Sequence, residues 1–302
     1  GVIVITSKSA KAGETSFEVN HSTSISSVSL LPKYQNEYGG GYYTSWDTFS
    51  YNPNTDPAEW AAFNGQLIPY YAADESWGPK LDGTLVRHWD SWIPNHPEFG
   101  TLRPWEANPD NVKNFFNDGI ENSTTLAFNA GSDTASVRGS ARLIDESLPF
   151  PNTDRNQIDV NMTGDVKIGD GLTAFASLNY QYRKTLNFPT NGYGGLGANF
   201  NQWWQRQLDM DRLERNYFFE GKYYSWNRRS ARNATPLYWD APHFDFYGDQ
   251  NNQRKNVMYG NFGLNYEVSD NISADVVVRR RFNSYESNGR TGWGGIDQAS
   301  FS

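Results

Sequence analysis

The chain contains no cysteine. That excludes a disulfide framework, thiolate catalysis and Cys-ligated zinc. It contains no run of about 18 apolar residues, which excludes a membrane-spanning helix. Membrane-spanning strands stay open, because they alternate apolar and polar residues and average out to the hydropathy of a soluble protein. Clustered positive charge is also missing. Lys plus Arg is 26 against 34 Asp plus Glu, a net charge of −8, and the groups Arg228-Arg229 and Arg279-Arg280-Arg281 are too small for a nucleic-acid footprint. His21, His88, His96 and His243 have no metal-ligand spacing, so no metal or cofactor site is expected. No nucleophile elbow, phosphate loop or Ser-His-Asp order occurs, and loop acids such as Asp209/Asp211 or Asp74/Glu75/Asp82 carry no specific glycosidase signal. No catalytic residue is therefore assigned.

Aromatic residues, by contrast, are abundant. Only 37% of the 302 residues are hydrophobic and the mean hydropathy is −0.73, yet 16% are aromatic, with 11 Trp, 18 Tyr and 18 Phe. Disordered chains are poor in aromatics, so an ordered fold is expected. The length alone suits one large domain or two ordinary ones. The chain starts at Gly1 without Met or signal peptide, and is expected to be an internal piece or a mature product.

Seven segments alternate with a period of two: Thr15–Ile25, Ser123–Ala130, Ser136–Leu143, Ile158–Ile168, Leu172–Tyr182, Met258–Val268 and Ile272–Phe282. In the clearest, Ile158, Val160, Met162, Gly164, Val166 and Ile168 alternate with Asp159, Asn161, Thr163, Asp165 and Lys167. Such a period means strands with one apolar and one polar face. Their length of roughly 8 to 12 residues matches the roughly 9–11 that cross a bilayer at a tilt.

The connections alternate as well. Gly131–Ala135, Gly169–Gly171 and Ser269–Asn271 have hairpin chemistry, while the links at about 30–121, 144–157 and 184–255 are long. An antiparallel up-and-down sheet then puts every tight turn on one rim and every long loop on the other, as in outer-membrane barrels.

All 11 Trp lie outside the seven segments, in these loops or after the last strand. Long loops need their own side chains to order them, so Trp residues there either form small cores or line a binding surface. Helical spacing marks Asn199–Leu213, and a second short helix is expected at Asp110–Asp118 with Asp110 as cap. The glycine run Gly192–Gly197 lacks a surrounding βαβ unit and reads as a loop.

Particular strings carry a family resemblance. Gly1-Val-Ile-Val-Ile-Thr-Ser-Lys8 resembles the last plug strand of SusC/RagA-type TonB-linked outer-membrane proteins, followed by a linker, Ser9–Glu14, and the first barrel strand. Leu31–Gly39, Ser76–Gly83, Pro109–Gly119 and Pro151–Asn156 resemble further strings of that family, in order along the whole chain. The resemblance implies an all-β fold, part of a 22-strand transmembrane TonB-dependent β-barrel with long outer loops holding short helices. Residues 1–8 would end the plug, 9–14 link, and 15–302 form the N-terminal part of the barrel. It further implies import of oligosaccharides or peptides across the outer membrane of a Gram-negative bacterium, under a SusD-like lipoprotein lid. TonB supplies energy through a plug region absent here, and pairs of transporter–lipoprotein complexes associate. On this reading Trp77, Asp82, Trp89, Trp92, Trp203 and Trp204 are expected to meet cargo or lid. The alternative is a soluble secreted β-sandwich that binds or hydrolyses carbohydrate.

Overall fold

A computed structural model describes residues 13–296. The expected plug strand at 1–8 and the linker up to residue 12 lie outside the described residues. All seven expected strands form: β1 (Thr15–Ser26), β2 (Gly119–Gly131), β3 (Ala135–Ser147), β4 (Asp154–Gly169), β5 (Leu172–Leu186), β6 (Gln250–Ser269) and β7 (Ile272–Arg290). They pair antiparallel in chain order, making one seven-stranded up-and-down sheet. Among the described residues the sheet is open, with β1 and β7 as its edges.

The strands are longer than their alternating cores. β6 begins at Gln250, because Gln250–Asn256 is polar on both faces and shows no alternation, while its backbone continues the ladders to β5 and β7. The three tight turns share one rim. Ser132 N–H donates to Ala135 O (2.7 Å) in the first, and Gly171 takes φ +73° in the second, a conformation that favours glycine. The longer connections, 27–118, 148–153 and 187–249, share the other rim.

Register organises the two faces. Val19, Leu126, Ala141, Val160, Tyr180, Met258 and Phe282 are cross-strand partners in one row that runs over all seven strands. Four residues nearer the long-loop rim, the same face carries the row Thr23, Asn122, Asp145, Asn156, Lys184, Arg254 and Glu286, polar throughout. Below that boundary the face is an apolar band whose members are exposed, including Phe17 at 67%, Ile168 at 59% and Val278 at 66%. Ile158–Ile168 spans about 33 Å along the strand, or about 25 Å in height at a tilt of about 40°. Arg280, beside Gly260, is the charged exception within the band.

The opposite face is knit by polar groups. Arg155 meets Glu146 at 2.5 Å and Glu121 at 3.4 Å, Arg142 Nε donates to Ser123 Oγ (2.8 Å), and Gln157 and Gln181 both donate to Asp159.

The first and third loops fold together over the long-loop rim around a single aromatic core. Phe49, Trp60, Phe63, Trp89, Trp92 and Phe115 come from the first, and Phe200, Trp204, Leu213, Trp226 and Phe246 from the third. Their rings meet edge to face or tilted, as for Trp60/Trp92 (5.0 Å), Phe200/Trp204 (4.8 Å) and, between loops, Phe115/Phe200 (5.3 Å). These geometries suit the ring quadrupole.

Both helix expectations are corrected. The single helix Asn199–Leu213 is two, α1 (Leu196–Gln202) and α2 (Met210–Asn216). Between them the carbonyls of Trp204, Gln205 and Arg206 accept from Ser76 Oγ, Asn111 Nδ2 and Asn108 N of the first loop, so they are unavailable to an i→i−4 ladder. α2 restarts where the Asp209 carboxylate accepts from Arg212 N (3.2 Å). The expected helix Asp110–Asp118 is only a 3-10 turn at Lys113–Phe115. Asn111 and Phe115 are drawn into the core, and the chain turns extended at Phe116. A third helix, α3 (Phe244–Tyr247), lies just before β6.

Candidate functional site

The six residues expected at a contact surface divide sharply. Trp89, Trp92 and Trp204 are 6%, 2% and 5% exposed and belong to the loop core, where no partner reaches them without opening it. Trp92 Nε1 donates to Tyr71 Oη (2.7 Å), which itself donates to Arg87 O, so this indole anchors the first loop internally. Trp77 is 71% exposed, on a segment held by a hydrogen bond from its N–H to Gly41 O (3.0 Å). Asp82 is exposed and closes a turn by accepting from Thr84 N and Oγ1, hydrogen bonds that hold its carboxyl below the usual range. Trp203 is half-buried and lines a cavity.

That cavity has a volume of about 910 Å³. It lies where the two loops meet the long-loop ends of β6 and β7. Asp74, Glu75 and Tyr42 come from the first loop, and Phe188, Tyr193, Trp203, Tyr238, Trp239 and Asp245 from the third. Gln250, Asn251 and Arg290 come from the strands. Its volume falls in the range of small-molecule sites.

Aromatic planes and carboxylates are interleaved around it. Trp239 Nε1 donates to Asp74 Oδ2 (2.8 Å). Burial pushes the Asp74 carboxyl up to about 6, against the pull of that indole donor and with neighbouring Glu75 adding to the rise. Burial pushes the Tyr42 phenol up to about 12, with Glu75 and Asp74 contributing. Asp240 accepts from Ile296 N (3.0 Å) and Asp249 from Gly292 N (2.6 Å), which ties the segment after β7 to the third loop at the cavity's edge. Asp74, Glu75, Asp240, Asp245 and Asp249 line it against the single cation Arg290. Such a wall can accept hydrogen bonds from hydroxyl or amine groups and stack flat faces on its rings. Among the described residues no group of His, Cys, Asp and Glu is arranged to hold a metal ion.

Of the six expected residues only Trp203 lines this cavity. Sequence reasoning set Asp74 and Glu75 aside as ordinary loop acids and did not single out Tyr238 or Trp239. The available signal was the direct adjacency of acid and aromatic in Tyr238-Trp239-Asp240, repeated near Asp74-Glu75-Ser76-Trp77. Compared with known proteins, the chain matches no family model and no curated protein.

Proposed function

We propose that this chain is part of an outer-membrane β-barrel importer of the SusC/RagA type, which takes up oligomeric nutrients, glycans or peptides, and is not an enzyme. The observation that carries the reading is the pair of rows on one face of the sheet. An apolar row across all seven strands gives way, four residues on, to a wholly polar row. A soluble sandwich needs a second layer over its apolar face. A lipid bilayer instead provides an apolar slab, about 25 Å tall in outer-membrane barrels, bounded by polar headgroups.

The remaining features take their places within that reading. The polar face lines the lumen, tight turns lie on the periplasmic side, and the folded loops stand outside. The barrel closes with further strands, since open edges in lipid cost several kcal/mol for each unpaired backbone group. The acidic, aromatic cavity at the outer rim is where cargo is first held. A SusD-like lipoprotein covers the loops and TonB drives release through the plug.

The test is fractionation followed by co-purification. The protein is expected in the outer-membrane fraction, soluble only with detergent, accompanied by a surface lipoprotein and bound oligomer. Free extraction into buffer as a monodisperse species ends the proposal.

A further inference from the structure

The polar row at the band's edge contains two cations side by side. Lys184 of β5 and Arg254 of β6 are direct cross-strand partners on the face that carries the apolar band. Like charges directly opposite each other are destabilising. Both side chains are exposed, and neither makes an ion pair or side-chain hydrogen bond among the described residues. On the far side of Arg254 stands Glu286, its partner in β7, but Glu286 accepts a hydrogen bond from Asn288 Nδ2 (2.6 Å) and does not pair with Arg254. On the far side of Lys184 stands neutral Asn156. Directly below lie Tyr182 and Asn256, then Tyr180 and Met258, whose side chains open onto the apolar band. Arg280, six residues nearer the tight turns than the partner of Arg254, is out of reach of the same group.

Two unpaired cations at the top of an exposed apolar face complement a molecule with an anionic head and an apolar tail. We propose that Lys184 and Arg254 together clamp the phosphate of an anionic lipid headgroup, whose acyl chains lie along the band over Tyr180 and Met258. The clamp relieves the like-charge contact, and basic residues near a membrane surface attract anionic lipid in this way. The inference rests on the membrane reading above and adds a lipid site to it.

The test uses the full protein, purified in detergent and reconstituted into phosphatidylcholine vesicles containing a minority of phosphatidylglycerol. Lipid retained after re-extraction is identified by native mass spectrometry. The wild-type protein is expected to enrich phosphatidylglycerol, and Lys184→Gln and Arg254→Gln each to lower that enrichment about fivefold. Glu286→Gln is expected to raise it. The control Arg183→Gln with Lys255→Gln removes the like-charged pair of the same two strands on the opposite face, and is expected to leave retention unchanged. Equal retention in wild type and the Lys184/Arg254 variants overturns the proposal, as does an equal loss in the control. Displacement of the lipid by equimolar inorganic phosphate also overturns it, by showing a site for free anions. A protein that inserts yet enriches no phosphatidylglycerol refutes the lipid site alone. A wild-type protein that fails to insert at all refutes the membrane reading and this site with it.

Discussion

The guanidinium of Arg212 closes on the carboxylate of Asp90 at 2.8 Å, although the two residues are 122 positions apart in the chain. Arg103 grips the same carboxylate at 2.6 Å, and Asn216 donates to it at 2.9 Å. Asp90 is fully buried, so a first-loop carboxylate is the point on which a third-loop helix turns. Replacing it leaves Arg103 and Arg212 with the partly exposed carboxylate of Glu98 as their one remaining shared counter-charge. Asp90→Asn is expected to cost the loop unit about 2–3 kcal/mol. Denaturant unfolding followed by loop tryptophan fluorescence measures this; a loss below about 1 kcal/mol refutes the hub role.

Gly78 is required by backbone proximity. A Cβ at this position would lie 1.9 Å from Gly40 O, a main-chain atom with nowhere to move. Gly78→Ala is therefore expected to open the contact between residues 39–41 and 76–78 and to destabilise the first loop by about 1–3 kcal/mol. Limited proteolysis should then cut there first, with the sheet strands still protected.

Acid is expected to loosen the loop unit. Burial pulls His88 down to about 4, with Asp90 and Pro104 O opposing, and burial likewise pulls His243 down to about 4. Folded pKa values below the unfolded value of about 6.5 mean that the unfolded chain binds more protons, so stability is complete above about 6.5 and is lost as pH falls toward 4. At pH 5 each histidine accounts for on the order of 2 kcal/mol. Thermal melts of wild type between pH 7 and 5 should show the decline, and a flat profile contradicts it.

The cavity prediction concerns Trp239. Its indole supplies both a stacking plane and the donor that pulls the Asp74 carboxyl down. On the proposed importer reading, Trp239→Ala is expected to weaken binding of the oligomeric cargo by about 1–3 kcal/mol and to move the pH midpoint of binding upward. Titration calorimetry across pH separates these effects; unchanged affinity removes the cavity from the cargo path.

Parity gives the sharpest test of the sheet. Val276 is 69% exposed on the apolar band, while Val277 points to the polar face. Val276→Arg is expected to cost about 2–4 kcal/mol of membrane insertion, and Val277→Arg far less. Equal effects on folding into vesicles would falsify the assignment of faces.

The sheet was readable in the sequence because its signal is local. From Ile158 to Ile168 every second residue is apolar or glycine, and a period of two needs no knowledge of neighbours. The upper part of β6 was not readable, since Gln250–Asn256 is polar on both faces and is held by pairing alone. The split between α1 and α2 was hidden for a related reason. Trp203 and Trp204 keep helical spacing, yet the carbonyls that follow are claimed by Ser76, Asn108 and Asn111, which no window around residue 204 contains. The cavity was least legible. Its walls come from segments as distant as Asp74, Trp203, Trp239 and Arg290, so only tertiary assembly brings their chemistry together.

The shared core of the two loops also dictates an order of events in time. Phe115 can meet Phe200 and Phe246 only after the chain between them has closed, and that chain is β2 through β5. Hairpins joined by tight turns need short loop closures, whereas bringing Phe115 of the first loop to Phe200 of the third needs a closure of 85 residues. Assembly therefore forms the three tight-turn hairpins first and joins the two long loops last. Until then the newly made chain carries two sticky surfaces at once, the band and the unassembled loops, and is at its most prone to aggregate.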